Sequence, residues 1–543
     1  MTRIMYQFQS RRIVLGIIIL LSLIGAGVMC FATRWGPWAY SDGVGYIVNA
    51  RNLLRGDGIG LWRASGRFVL TSYQPPLFIL ALTSLGVFGI DLLIAARFLS
   101  ISLFALTILV IGLSAFAITK NGLLAISLSG VTLTFPILIE LYSGVMSEGL
   151  FFLLGFCALM VAILGVRKGE LKYLAASGIL SSLAFLTRYI GVGFVITCAF
   201  VGFIFPRLSL RRRVKHAFLI FSLGVFPMVL WLIWLRFQPA AEPARFNSIV
   251  IGNIWTILQP FRVALVDSFW RFLPFVRTLP DLSYRWNLLM LLGIFIFLTL
   301  FSGYTWLRRH GRKMPEQGIS ILNLTLMIFT IVYIVALILS FLFRLPTPDI
   351  YLRTLSPALF AFTLSLVVSI FDVGAHQQRA RGLAVIPIIF AASIMVFNYS
   401  ESRDNVLSLS QDGRGFTSRE WQTSPTIEAI QDISPDVPLI TNESSAILLY
   451  ADRYAYDFPM MFFEQSTEMN PRPGDDPSEA AAKIFREEGA ALVLFDSIYG
   501  HLEPLYHDHA KAKIEAFTER LDIFFECADG AIYFYPDPKN SNN

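Results

Sequence analysis

Cysteine is scarce in this sequence. Its 543 residues hold four, Cys30, Cys157, Cys198 and Cys527, and the first three lie in apolar runs. There is no Cys-x-x-Cys pair, which excludes a disulfide framework and a thiolate metal site. Charge is sparse too: 15% of residues are charged, against about a quarter in a soluble domain. A phosphate-binding loop, a Gly-x-Gly-x-x-Gly fingerprint and a convincing Ser-His-Asp set are missing, so ATP or a nucleotide sugar is not expected as a direct substrate. Nothing points to nucleic acid. The six histidines fall in or beside loops read as cytoplasmic (His216, His310, His376) or in the C-terminal tail (His501, His507, His509). His507-Asp508-His509 lacks further ligands and reads as an exposed turn.

Apolar sequence is what the chain has in quantity. With 55% hydrophobic residues and a mean hydropathy of +0.61, it reads as an α-helical polytopic membrane protein, each span needing roughly 20 apolar residues. Eleven candidate spans cover residues 13–32, 91–117, 122–139, 149–166, 173–187, 189–205, 216–236, 287–306, 318–343, 351–371 and 382–398. The first follows Arg11-Arg12 and has no small-residue cleavage site, so it is expected to be retained. Residues 77–88, after Pro75-Pro76, are too short to cross and read as a short helix on or in the bundle. Alternate loops carry the lysines with clustered arginines, which places them and the N-terminus in the cytoplasm of an inner (plasma) membrane protein. Eleven spans then put the C-terminus outside.

From about residue 400 the composition turns polar. Val437–Thr441, Ala491–Phe495, Phe524-Phe525 and Ile532–Tyr535 look like strands, and Ser478–Glu488 and Ala510–Arg520 look like helices. This predicts two domains: a membrane domain over 1–400 and a small extracytoplasmic α/β domain over 401–543, with residues 537–543 as a disordered end.

The outer loops of the membrane domain carry no lysine but many arginines, among them Arg51, Arg55, Arg188 and Arg353. Arginine is the residue for two-pronged phosphate binding; the competing reading is snorkelling on interfacial helices. Long outer loops at 33–90 and 237–286 read as amphipathic segments lying on the membrane. With histidine excluded from this face, a reaction there would rely on carboxylates. Asp42, in Tyr40-Ser41-Asp42-Gly43, directly follows the first span and leads an amphipathic helix with Tyr46, Asn49 and Leu53 on one face. Such an acid can accept a proton from an attacking hydroxyl or amine; its bland alternative is helix capping. Glu148 opens a span, where an acid also suits the helix dipole. Arg188 interrupts two apolar runs, and an arginine held there usually has a partner or a ligand.

These stretches resemble the GT-C glycosyltransferases, in the branch of protein O-mannosyltransferases and the lipid A aminoarabinose transferase. The resemblance rests on Asp42 after the first span and on Tyr46 leading into Ala50-Arg51-x-Leu53-Leu54-x-Gly56. It continues through Gln74-Pro75-Pro76-Leu77-Phe78, Ser147-Glu148-Gly149, Leu186-Thr187-Arg188 and Tyr351-Leu352-Arg353-Thr354-Leu355-Ser356-Pro357. It implies transfer of a sugar from a polyprenyl-phosphate donor to a lipid, glycan or protein acceptor. Asp42 would be the general base. Arg188, Arg353, Arg51 and Arg55 would hold the donor phosphate, with Tyr46, Glu148 and Tyr351 in support. Many relatives follow the acid with Glu where this chain has Gly43, which weakens any metal role for that pair. Some relatives use a divalent cation and others do not. A transporter or flippase of a lipid-linked substrate, or a non-catalytic relative, is the alternative; most spans lack the central ionisable residues that transport needs.

Overall fold

The computed structural model describes residues 11–63, 66–204, 209–238, 263, 284–309, 314–342, 352–376, 385–458, 483–506 and 509–536. Most of the 237–286 loop, Tyr351, His507 and residues 537–543 lie outside these. The chain forms two compact units: Met1–Pro37 with Ser72–Gln411, and Trp38–Thr71 with Asp412–Asn543. The change of unit falls after residue 411 rather than at 400 because the helix Ile386–Asp412 continues past its apolar stretch. Residues 38–71, expected within the membrane domain, cluster with the C-terminal unit instead.

The first unit is helical. Among the described residues, six helices are long and apolar enough to cross a membrane: Arg11–Ala32, Leu92–Thr119, Glu148–Lys168, Leu210–Arg236, Gly318–Ser340 and Leu352–Val373. A seventh crossing is counted if Gly122–Leu133 and Pro136–Tyr142 act as one span bent by 59°. The bend follows from Pro136, which pushes Phe135 out of helical geometry. The remaining expected spans are also helical, but Leu171–Thr187 and Tyr189–Ile204 are short, and Leu77–Gly86 is the short helix expected after Pro76.

Phenylalanine fills the centre of this unit. Phe194 stacks on Phe329 with centroids 4.3 Å apart, and Phe156 meets Phe194 and Phe360 edge-on at 5.8 and 5.1 Å. Phe152 also packs on Phe360. Gly155 permits the approach, since a Cβ there would lie 2.1 Å from the Phe194 ring. Without a hydrophobic drive between helices in lipid, such close packing is what holds them together.

The second unit is α/β. Its sheet has the strands β3 (Leu439–Thr441), β4 (Ala455–Asp457), β5 (Ala491–Phe495), β6 (Asp522–Cys527) and β7 (Gly530–Phe534), ordered β4-β3-β5-β7-β6. The first three are parallel, and β7 and β6 close the sheet antiparallel. A small hairpin of β1 (Gly60–Trp62) and β2 (Phe68–Leu70) follows the helix Ser41–Arg55. Asn52 pins the hairpin by donating to the Gly60 carbonyl at 2.8 Å. Gly56, at φ +92°, ends the helix in the left-handed cap that glycine adopts without strain. The helix is not a half-exposed surface element: residues 43–50 are all buried, on both faces, and it packs on the helix Ser444–Tyr450.

Candidate functional site

In the first unit, three of the expected residues meet. Glu148 and Arg353 are one residue in or less from the N-termini of their helices, Glu148–Lys168 and Leu352–His376. Phe152 and Phe156 lie four and eight residues after Glu148, and Phe360 lies seven after Arg353. Each set shares a helix face with its charged residue. Packing Phe152 and Phe156 on Phe360 therefore brings the two charged ends together. Pro357 cannot donate to the Arg353 carbonyl four residues back; the Ser356 hydroxyl does so at 2.6 Å. Arg188 lies at a break between helices. The helix Leu171–Thr187 stops, Arg188 is extended at φ −151°, and the 3-10 turn Tyr189–Gly191 leads into Val192–Ile204.

One carboxylate serves both arginines. Glu148 is 2% exposed, and its Oε1 accepts from Arg188 Nη1 at 2.7 Å and from Arg353 Nε. Arg188 also donates to the Ser147 hydroxyl at 3.2 Å. The second oxygen, Oε2, is buried without a hydrogen-bond partner among the described residues. The guanidiniums keep 24% and 28% of their side-chain surface exposed. Two guanidiniums thus share one carboxylate, beside two helix N-termini whose dipoles favour negative charge. Such a cluster attracts an anion and disfavours a cation. Beside it, Tyr189 ties down the 72–73 turn by donating to the Ser72 carbonyl at 2.6 Å, and Tyr333 donates to the Thr354 carbonyl at 3.1 Å.

The other expected residues belong to the second unit. Asp42 is exposed in the first turn of Ser41–Arg55, whose N-cap is Tyr40, without a side-chain cap bond. Tyr46 is buried in the same helix. Arg51 and Arg55, one turn apart, both engage Asp452, Arg51 at 2.6 Å. Arg51 also donates to the Leu448 and Leu449 carbonyls at the end of Ser444–Tyr450, at 3.1 and 3.2 Å, a favourable place for a cation. Burial pushes the Asp452 carboxyl up, but the hydrogen bonds and charges of Arg55 and Arg51 outweigh it and hold it below the usual range. Sequence reading missed Asp452 and Tyr333, and quoted Ser147 in a motif without giving it a role. Only the i, i+4 spacing of Arg51 and Arg55 hinted at a shared partner.

No family model and no curated protein matches the chain. Solved structures do. ArnT from Cupriavidus metallidurans in the apo state matches at 13% identity and a TM-score of 0.54, over 95% of this chain and 97% of that one. ArnT bound to undecaprenyl phosphate matches at 14% and 0.53, over 95% and 98%. The oligosaccharyltransferase AglB from Archaeoglobus fulgidus, in complex with an inhibitory peptide and a dolichol-phosphate, matches at 11% and 0.51, over 97% of this chain and 74% of that one. Likeness of this extent at such low identity is a likeness of backbone architecture: this chain has the fold of the GT-C membrane glycosyltransferases.

Proposed function

We propose that the protein transfers a sugar from a polyprenyl-phosphate donor to an acceptor outside the cytoplasm. The observation that carries this reading is the pair Arg188 and Arg353, brought together on the buried Glu148. The fold supports it, since solved structures with this architecture hold undecaprenyl phosphate or a dolichol-phosphate. In the proposed reaction an acceptor hydroxyl or amine attacks the anomeric carbon. The carbon–oxygen bond to phosphate breaks, and the phosphate oxygen leaves with the electron pair. Asp42 takes the acceptor's proton as general base. The donor phosphate carries one negative charge and the released lipid phosphate more. Arg188 and Arg353 therefore stabilise the leaving group as charge develops, which lowers the barrier rather than only binding the donor.

The test is turnover by purified protein in nanodiscs, with a panel of polyprenyl-phosphate sugars and candidate lipid, glycan and peptide acceptors. Release of polyprenyl phosphate by the wild type, its loss in Asp42→Asn with donor binding intact, and weakened donor binding in Arg353→Gln would support the assignment. Undiminished turnover in Asp42→Asn would remove the base. Failure of the wild type to bind any polyprenyl-phosphate sugar would remove the reaction class.

A further inference from the structure

The second unit contains an open cleft of about 720 Å³ that the proposed chemistry does not use. That volume lies within the roughly 300–1,000 Å³ typical of small-ligand sites. Trp62 and Arg63 of the hairpin form one side. Tyr454 and Tyr456, of β4 and the residue before it, form another, and Asp436 and Glu488 stand at the rim.

Its aromatic rings are fixed before any ligand arrives. Trp62 pairs across the hairpin with Phe68, which meets it edge-on at 5.2 Å. The indole N–H donates to Asp57 at 3.1 Å, and the Tyr454 hydroxyl bonds Asn52 at 3.3 Å. Tyr454 and Tyr456 are two residues apart at the sheet edge, so they project to one face. The rim is fixed too. Arg453 donates to the Ile433 and Ser434 carbonyls at 3.1 and 3.2 Å, and to that of Val437. With Arg453 engaged by these carbonyls, Asp436 and Glu488 are the carboxylates that line the cleft among the described residues.

We propose that this cleft binds a neutral or amino-bearing saccharide, through its aromatic faces and its rim carboxylates. The negative faces of aromatic rings suit the weakly positive C–H face of a sugar ring. Carboxylates accept two hydroxyl hydrogen bonds each with little geometric strain. The two rim carboxylates against Arg63 disfavour phosphates and acidic sugars, which sets this site apart from the arginine pair of the first unit. As the seat of a glycan acceptor the cleft rests on the transferase reading; as a saccharide site it does not.

Full-length protein in nanodiscs, without donor, would be titrated with chitotriose, mannotriose and maltotriose by saturation-transfer NMR. Trigalacturonate and a Lys-rich tetrapeptide serve as controls. The expected result is binding of at least one neutral trisaccharide at about 1 mM or tighter, with none of trigalacturonate. Trp62→Ala and Glu488→Gln should each weaken it about tenfold, while Trp62→Phe, which keeps a ring, should retain most of it and so exclude misfolding. Absence of binding by all three neutral trisaccharides, survival of binding in Trp62→Ala, or preference for trigalacturonate or the peptide would overturn the proposal. Binding is read here without donor and without turnover, so failure here is separate from failure of the transfer reaction.

Discussion

Replacing Glu148 by Gln should lower stability and raise lipid-phosphate affinity at once. The substitution keeps size and one acceptor but removes the negative charge that Glu148 places on Arg188 and Arg353. At about 4 Å and an effective dielectric near 20, each ion pair carries roughly 4 kcal/mol of attraction before desolvation. Stripping one partner from a buried cluster costs about 3–5 kcal/mol. The arginine side chains keep 24% and 28% of their surface exposed, so about 2–4 kcal/mol is expected after screening. Arg188→Gln leaves Glu148 and Arg353 as a balanced pair and should cost less, about 1–2 kcal/mol. Thermal unfolding in nanodiscs should therefore rank wild type, Arg188→Gln, Glu148→Gln in falling order. Affinity for undecaprenyl phosphate should move the other way. One more unit of positive charge should tighten it about tenfold in Glu148→Gln, and Arg188→Gln should loosen it by a similar factor, about 1.4 kcal/mol each. If Glu148→Gln weakened lipid-phosphate binding, or destabilised the protein less than Arg188→Gln, the charge-count reasoning would be refuted. The carboxylate would then act only as a positioner of the arginines.

The Asp452 carboxyl is held below its usual range by Arg51 and Arg55, so its stabilisation is complete above the ordinary Asp value and lost as pH falls through the lower folded one. Protection of the Ser444–Tyr450 amides, corrected for the pH dependence of intrinsic exchange, should fall below about pH 4, by about 1 kcal/mol given the partial exposure of the pair; Asp452→Asn should show a flatter profile and a lower baseline protection. Gly191→Ala should be destabilising by about 1–3 kcal/mol in thermal unfolding, because its Cβ would lie 2.6 Å from the Phe185 Cα. Lipid-phosphate binding should fall with it, since this turn sets Arg188; an unchanged affinity would show that the turn does not position the arginine.

The sequence alone determined the class of the protein, because each span is a local property: about 20 apolar residues need no tertiary partner to be recognised. It also determined which residues could carry charge chemistry, since Glu148, Arg188 and Arg353 interrupt or open apolar runs where an ionisable group is costly. Most strands of the C-terminal unit showed for a related reason, in runs such as Ala491–Phe495, which is buried throughout; the half-exposed β4 (Ala455–Asp457) did not. Tertiary structure alone decided how those charges combine. That Glu148 serves both arginines depends on Phe152 and Phe156 packing against Phe360, a contact between residues some two hundred apart. That Arg51 and Arg55 close on Asp452, and that residues 38–71 cluster with the C-terminal unit, depend on pairings of about four hundred residues' separation. Periodicity and propensity report the environment of a residue along its own element; the partner across the fold is chosen by packing, and no local pattern encodes it.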